Sequence, residues 1–531
     1  MKINLGCGSD YRPGWLNVDQ FDSASPDLVM NIEQPPWPIE SDVADHVLLK
    51  HVLGHVGRET ATFLEIIKEL YRVCKEGATV EIHARHPWHS DVLSDPTYVR
   101  PIVPETLHGF DLATVEQWQA AGLPNTPLAT QLKVDFETVQ TEFFLDPQWQ
   151  ARLARGEIDM NGVASAARSN TNVIQWTRTV LRVHKPFKPG RSLAGLKELR
   201  IIRSGGLGDV MMALDAASTI ARLSGTKIVF QTSPQYRALV AACPFVAEVV
   251  SAPEEVARVE ARFAAGGAFR SVNLDPAQHG LCRIHEVDSF LRSGLGINAP
   301  AASKGFRIEP SEAARRRVAE RLNGAAPPAA GGGRVLLHPA GRDTNRTWPR
   351  ERWQELADRL RAEGHQVVSI GQRAKDNSGG VFMIDGAVDL IDAFDPIETI
   401  ALMNCSDLLV ATDSGPVQLA GSADIGIVGI YSVVAGRNRL PYRNGQAAWR
   451  AIAVSPECSL HPCYERLLDS DEYAAYQRSG PKTASENAKF LGDWCLNPKR
   501  YACLLQEITV ERVFAACRTL LAEGRPGQSE P

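Results

Sequence analysis

Four groups of residues in this sequence have types and spacings that could do chemistry. At Ser204-Gly205-Gly206-Leu207-Gly208-Asp209 a glycine-rich turn follows the apolar run LRIIR and precedes a helical pattern. Glycines at such a junction permit positive φ and let a ligand come close to the chain, and the helix start beyond favours an anion. Asp209, at the top of the turn, is placed to act as a general base. The spacing is not the GxGxxG of dinucleotide folds, so the residues alone are equally compatible with a mere tight turn. The second group is split. The polar loop Ala340–Pro349 carries Arg342 and Arg346, whose forked donors suit a diphosphate or, taken singly, belong to a solvated loop. Further on, DLLVAT delivers Asp413-Ser414-Gly415-Pro416 into a helix start, where backbone N–H groups point outward unless Asp413 and Ser414 only cap the helix.

The third group lies near the N-terminus. Gly6 and Gly8 follow the strand-like INL, and Asp19 ends a second strand-like run, LNVD. An acid in that position is what a Rossmann-like fold uses to hold ribose hydroxyls, and the two glycines leave room for a ligand. The fourth is the set Cys458, Cys463, Cys495 and Cys503 in CSLHPC and CLNPKRYAC, with Cys517 on a last amphipathic helix. In a chain without secretory features such thiols are metal ligands more readily than disulfides, but C-x4-C and C-x7-C are looser than a CxxC pair and are also compatible with buried thiols. Thiolates suit iron and zinc alike.

The elements that must position these groups alternate almost throughout. INLGC, LNVD, HVLL and TVEIHA are short apolar runs, and ATFLEIIKELYRVCK has helical spacing, which argues for parallel sheets with covering helices. VDFETVQTEFFL and VIQWTRTVLRVHK read as a closing antiparallel pair of strands ending near Lys185. A second alternation runs from LRIIR through TKIVFQTS, VAEVVS and SVNLD to GAAPPAAGGG, whose glycines and prolines fit no periodic pattern. A third holds RVLLHP, QVVSIG, DLLVATD and IGIVGIY as strands and ERWQELADRLRAEG as an amphipathic helix. The resulting division is a domain over 1–188, a linker over 189–198, α/β domains over 199–323 and 334–455 joined by a linker over 324–333, a cysteine-rich segment with a closing helix over 456–521, and a disordered tail over 522–531.

Composition agrees with several cores and excludes some partners. The 531 residues are too many for one core at roughly 100–200 residues per domain. With 57 Lys and Arg against 62 Asp and Glu, the net charge of −5 gives no general pull toward nucleic acid, so phosphate recognition has to be local. No stretch approaches the roughly 20 apolar residues of a membrane helix, and the start MKINLGCGSD lacks a signal peptide's apolar run. The expected location is the cytoplasm, with peripheral membrane contact open. Cys7, Cys74, Cys243, Cys282 and Cys405 are scattered through apolar segments and read as small buried hydrophobes.

The GGLGD loop, the segment HPAGR…RTWPRERWQELADRL and the segment DSGPVQLAG, in that order over about 199–520, resemble glycosyltransferase family nine, the ADP-heptose-using heptosyltransferases of the lipopolysaccharide core and their relatives. The resemblance implies an α/β chain ending in a GT-B pair of Rossmann-like domains across a cleft, and sugar transfer with inversion and without a metal ion. By position it makes Asp209 the base, sets Gly206 and Gly208 beside the donor, puts Arg346 with Arg342 on the donor phosphates, and makes Asp413, Ser414 and Gly415 the donor-binding helix start. Gln418 stands where the family usually has His, and can hydrogen-bond but not carry a proton. The implied partners are a nucleotide sugar, with ADP-heptose first, and a glycan, glycolipid or protein acceptor. Relatives that modify autotransporter proteins hold iron in a four-cysteine site, which makes the four late cysteines candidates for a structural iron or zinc.

The N-terminal features, together with PPWPIESDVADHVLLKHVLGHV, RVCKEGATVEIHARHP and DPTYVR, resemble class I S-adenosylmethionine-dependent methyltransferases over about 1–188. That resemblance implies a Rossmann-like domain with Gly6 and Gly8 at the methionine end of S-adenosylmethionine, Asp19 on the ribose and Asn31 near the adenine. The chain has HVLGH and KEGA where relatives have HVLEH and KPGG, so Gly54 replaces an acid. His51, His55, His83 and His86 are the candidates for a methyl-transfer base, against a structural role for each. Two alternatives to a fused glycosyltransferase stay open: a methyltransferase with a GT-B scaffold, and a scaffold without catalysis.

Overall fold

In the computed structural model of the chain the described residues are 1–264, 266–275, 284–324, 326–340, 343–373, 380–468, 470–479 and 490–524. Arg342 and Cys282 lie outside them. The chain divides into two compact units, Met1–Leu193 and Ala194–Pro531.

The first unit is built on one seven-stranded sheet. Its strands are β1 (Lys2–Leu5), β2 (Leu16–Asp19), β3 (Leu28–Val29), β4 (Ala44–Lys50), β5 (Cys74–Arg85), β6 (Phe136–Leu145) and β7 (Ile174–Val183), in the order β3-β2-β1-β4-β5-β7-β6. All are parallel up to β5, and β7 runs antiparallel between β5 and β6. This is a Rossmann-like sheet closed by an antiparallel pair, as in the methyltransferase-like fold. Helix α1 (Thr60–Val73) covers one face because Phe63, Ile66, Ile67, Leu70 and Val73 recur at helical spacing and bury against Val47 and Leu49 of β4.

The segment 189–198 is not a free linker over its first half. The buried Glu116 carboxylate accepts from the Gly190 and Ser192 amides, Arg191 pairs with Asp111 and Asp135, and Leu193 is buried. A proline- and glycine-rich composition suggested a joint, but buried carboxylates caught its backbone.

The second unit holds two parallel sheets. The first contains β8 (Glu198–Ile202), β9 (Lys227–Gln231), β10 (Val246–Val250) and β11 (Phe269–Asn273) in the order β10-β9-β8-β11. Helix α2 (Leu207–Ser224) follows β8 and is buried on every side from Val210 to Ile220. Helix α3 (Glu286–Ser289) packs against it. The other sheet has the order β14-β13-β12-β15-β16-β19. Its strands are β12 (Arg334–His338), β13 (Gln366–Gly371), β14 (Val388–Ile391), β15 (Leu408–Thr412), β16 (Gly426–Ile430) and β19 (Ala451–Val454), with a small hairpin of β17 (Tyr442–Arg443) and β18 (Gln446–Ala447) outside it. The continuous apolar runs LLVAT and GIVGI are wholly buried, as strands covered on both faces must be. These are the two Rossmann-like halves of the GT-B fold.

Helices α4 (Arg350–Ala362), α5 (Pro396–Asn404), α6 (Gly415–Leu419) and α7 (Val510–Ala522) complete the second half. Val513, Cys517 and Leu520 of α7 lie in one core with Val410 and Val428, which makes Cys517 a core residue. The glycine-rich stretch before β12 is also packed: the Ala329 amide donates to the Gly364 carbonyl, and a Cβ on Gly332 would collide with that oxygen. No described helix is long and apolar enough to cross a membrane.

Candidate active site of the second unit

Asp209 sits in the first turn of α2, directly after β8. The Gly206 amide donates to its Oδ2 at 3.2 Å, and Arg203 Nη2 stands 3.2 Å from the same oxygen. Arg203 is only 1% exposed, and its Nη1 also donates to Asp275 Oδ1 at 3.2 Å. One buried guanidinium thus underlies the whole turn and orients the carboxylate, whose side chain keeps 23% of its surface exposed at the mouth. Arg203 was not singled out from sequence, where its only signal is an arginine at the end of an apolar strand.

The other half presents Arg346 and Asp413. Arg346 Nη1 lies 3.5 Å from Asp413 Oδ2, its Nε 3.7 Å from Asp343 Oδ2, and its Nη2 donates to Tyr464 Oη at 3.5 Å. Burial works against its charge, but Tyr464, Asp413 and Asp343 together hold its pKa above the ordinary arginine value. Ser414 precedes α6 without capping it. Its hydroxyl donates to the Thr412 carbonyl at 2.9 Å and lies 3.2 Å from Nδ1 of His338. Burial pulls the pKa of His338 down to about 4, so this ring is neutral at physiological pH. His338 ends β12, and in the sequence it is only the last residue of an apolar run.

The two halves meet at glycines. A Cβ on Gly208 would lie 3.6 Å from Gly415 Cα and 3.5 Å from Gln418 Cγ, and one on Gly415 would lie 3.0 Å from Leu207 Cβ. The starts of α2 and α6 therefore touch, bringing Asp209 and Asp413 to one cleft. Gln418 Nε2 donates to the Arg439 carbonyl, so this side chain is committed to the protein. Two further contacts cross the same seam: Glu286 Oε2 lies 3.6 Å from Arg439 Nη1, and His285 Nε2 lies 2.8 Å from the Leu440 carbonyl. Beside the seam opens a cavity of about 640 Å³, lined by Leu207, His338, Ile370, Phe394, Leu402 and Gly415 among others. It lies at the carboxyl ends of β12 and β13, where open parallel sheets bind ligands, and its apolar walls suit a planar base.

Residues 259–465 match the family model described as Glycosyltransferase family 9 (heptosyltransferase). The second unit therefore contains a glycosyltransferase family 9 segment. Among solved structures, the chain is similar to a glycosyl transferase of family 9 from Veillonella parvula DSM 2008, at 16% identity over 62% of this chain and 98% of that one, with a TM-score of 0.44. It is similar to the iron-containing dodecameric glycosyltransferase TibC from enterotoxigenic E. coli H10407, at 14% identity over 66% and 82%, with a TM-score of 0.43. It is also similar to a SAM dependent methyltransferase from Archaeoglobus fulgidus, at 15% identity over 34% and 85%, with a TM-score of 0.25. No curated protein matches the chain in sequence.

In the chain the four cysteines follow the last strand of the six-stranded sheet. Burial pushes the Cys463 thiol up to about 12, with Cys503, Cys458 and Cys495 adding to the rise. Asn497 Nδ2 donates to Cys458 Sγ at 3.6 Å, and the Tyr501 amide donates to Cys495 Sγ at 3.4 Å. Four thiols make a soft donor set, which suits iron or zinc. Among the described residues no three His, Cys, Asp or Glu side chains converge closely enough to hold an ion.

In the first unit, Gly6 and Gly8 both have positive φ at the end of β1, and a Cβ on Gly6 would collide with Val52. The Gly8 amide donates to Asp19 Oδ2 at 2.8 Å, and the Phe21 amide donates to Asp19 Oδ1 at 3.0 Å. Asn31 Oδ1 accepts from the Glu33 amide at 2.9 Å. Of the four histidines, His83 is bonded to Glu81, His55 to Thr97 and His86 to the Trp88 amide. His51 has positive φ and a buried Nδ1 without a partner, and burial, with Arg85 and His83 adding, pulls its pKa down to about 4.

Proposed function

We propose that the second unit moves a sugar, ADP-linked heptose in the first instance, onto a hydroxyl of a glycan, glycolipid or protein, by one in-line displacement that inverts the anomeric carbon. The observation that carries this reading is the approach of Gly208 to Gly415, which sets the turn of Asp209 against the helix start that follows Asp413, the partner of Arg346. Asp209, oriented by Arg203, takes the acceptor proton as the acceptor oxygen bonds to the anomeric carbon. The bond from that carbon to the diphosphate breaks, and Arg346 receives the charge that grows on the leaving ADP. Before the donor arrives Arg346 leans on Asp413 at 3.5 Å, a contact long enough to exchange for a phosphate. The nucleoside fits the apolar cavity beside His338. The heptose donor is supported by the family description alone. We place the reaction in the cytoplasm, in line with the composition.

The test is release of ADP from ADP-heptose by the purified chain, set against other nucleotide sugars. Turnover with at least one donor is expected, and failure with every donor together with failure to bind ADP would overturn the proposal.

For the first unit the sheet order and the Gly6–Gly8 turn support an S-adenosylmethionine site, with Asp19 facing the ribose and Asn31 the adenine. That group would supply an activated methyl, and His51 is the histidine left without a partner at Nδ1. Calorimetry with S-adenosylmethionine should show saturable binding, and heat-silent titration at millimolar ligand defeats the reading. The thiols of Cys458, Cys463, Cys495 and Cys503 support a structural iron or zinc by their chemistry. Stoichiometric metal in the purified protein, lost in Cys458→Ser, is expected, and metal-free protein ends that assignment.

A further inference from the structure

Glu286 is a carboxylate that the mechanism above does not use. It opens α3 and is 1% exposed. Its Oε2 faces Arg439 Nη1 at 3.6 Å, from the opposite half of the unit, while its Oε1 is buried with no hydrogen-bond partner. A buried charged oxygen left unpaired costs about 1–3 kcal/mol or more, which the fold tolerates where something else supplies the partner.

Its surroundings say where that partner comes from. α3 packs on α2, and the ring of Phe290, next in the chain after α3, lies 5.4 Å from the Arg203 guanidinium that holds Asp209. On the other side, Arg439 belongs to the half that carries Asp413, and its carbonyl is held by Gln418 of α6. Burial raises the pKa of Glu286; Arg439 and Arg203 oppose that rise, and Asp209 and Asp413 add to it, so groups from both ends of the cleft act on it. A nucleotide sugar reaching from Arg346 and Asp413 toward Asp209 carries its sugar ring through the space between those ends.

We infer that Glu286 is a sugar-binding residue, whose free Oε1 accepts a hydrogen bond from a hydroxyl of the transferred sugar while Arg439 holds Oε2. This rests on the proposed sugar transfer. A polyhydroxy sugar offers the O–H donors that a desolvated carboxylate oxygen lacks, and ADP without its sugar offers none at that position. Sites that hydrogen-bond a substrate hydroxyl discriminate strongly because the analogue leaves their own polar group unpaired.

The experiment compares wild type, Glu286→Gln and Glu286→Ala in the full chain, using ADP binding and ADP-heptose turnover. The glutamine variant keeps volume and shape, which guards against simple misfolding. Sugar recognition predicts ADP affinity within about twofold of wild type in both variants. It also predicts that kcat/KM for ADP-heptose falls about tenfold in Glu286→Gln and about a hundredfold in Glu286→Ala, the range of a hydrogen bond to a charged group. Equal loss of ADP and ADP-heptose binding would make Glu286 a clamp between the halves and overturn the assignment, as would variants with unchanged turnover. A wild-type protein that neither binds ADP nor turns over any nucleotide sugar fails at the earlier step, the transferase reading itself.

Discussion

At the glycine turn of the first unit, each oxygen of the nearby acid already holds a backbone amide: Asp19 accepts from Gly8 at 2.8 Å and from Phe21 at 3.0 Å. At the glycine turn of the second unit the acid is held more loosely, by the Gly206 amide and Arg203 at 3.2 Å each, and the atoms around it are incompletely paired. Arg203 Nη2, Arg346 Nε and Glu286 Oε1 are all buried without an aligned hydrogen bond. Both turns have the same origin, a parallel strand running into glycines with an acid near its end. The first fixes its carboxylate with two backbone amides, and the second leaves several of the charged atoms around its acid unpaired. Natural folds keep buried unpaired groups few, so several in one cleft point to the group that will pair them.

The largest effect should come from the acid of the second turn. Asp209→Ala is expected to lower sugar transfer by about a hundred- to ten-thousand-fold, the usual worth of a general base, with ADP affinity little changed. Initial rates of ADP release alongside ADP titration measure both, and an active Asp209→Ala removes the contrast between the two turns. Arg346→Ala comes next. Losing the guanidinium that faces the leaving diphosphate should cost about a hundredfold in kcat and weaken ADP as well, because Arg346 meets phosphate in the bound state and not only in the transition state. A variant that binds ADP normally would move the diphosphate away from this loop.

The opposite behaviour is expected of Asp19. Asp19→Ala strands the Gly8 and Phe21 amides, at a cost of about 1–3 kcal/mol, and should loosen the first unit without touching ADP release by the second. Hydrogen exchange in residues 1–193 reads this directly. If exchange there is unchanged, Asp19 is not a structural acid and the two turns are alike.

How much of this contrast was legible in the sequence depends on whether a residue acts through its neighbours in the chain or through distant ones. Asp209, Arg346 and Asp413 stand in contiguous motifs that each follow a strand, and chain order alone sets them on facing halves. The sheets were legible because strands such as LLVAT, buried on both faces, must be continuous apolar runs. Arg203, Glu286, His338 and Arg439 were not, because their meaning lies in contacts with residues far away in sequence. Glu286 is one acid in HEVDSF until Arg439, 153 positions on, comes to 3.6 Å. The packed start of the expected linker at 189–198 failed to show for the same reason: Glu116, which captures its amides, is more than seventy residues upstream.

The smallest effect sharpens the comparison within one helix. Asp215 lies six positions beyond Asp209 on α2 and is buried, where the Gly305 amide donates to its Oδ1 at 2.7 Å. Burial raises its pKa from 3.8 to about 7, against Lys304 and Arg222, which favour the charge, and with Asp288, which opposes it. A carboxyl whose pKa is raised on folding stabilises the folded state fully below its unfolded value and loses that contribution as pH climbs through the folded one. Asp215 therefore weakens the unit progressively between about pH 4 and pH 7. His285 and His338, both pulled down to about 4, act in the reverse sense, giving stability above about pH 6.5 that is lost on acidification. Asp215→Asn separates the two slopes, since it keeps the acceptor for Gly305 and removes the titration. Its unfolding temperature should match wild type near pH 4 and exceed it by about 2–4 °C at pH 8. A difference that does not change with pH would mean that Lys304 and Arg222 keep Asp215 ionised throughout, so that α2 carries two charged acids instead of one at its mouth and one silenced in its core.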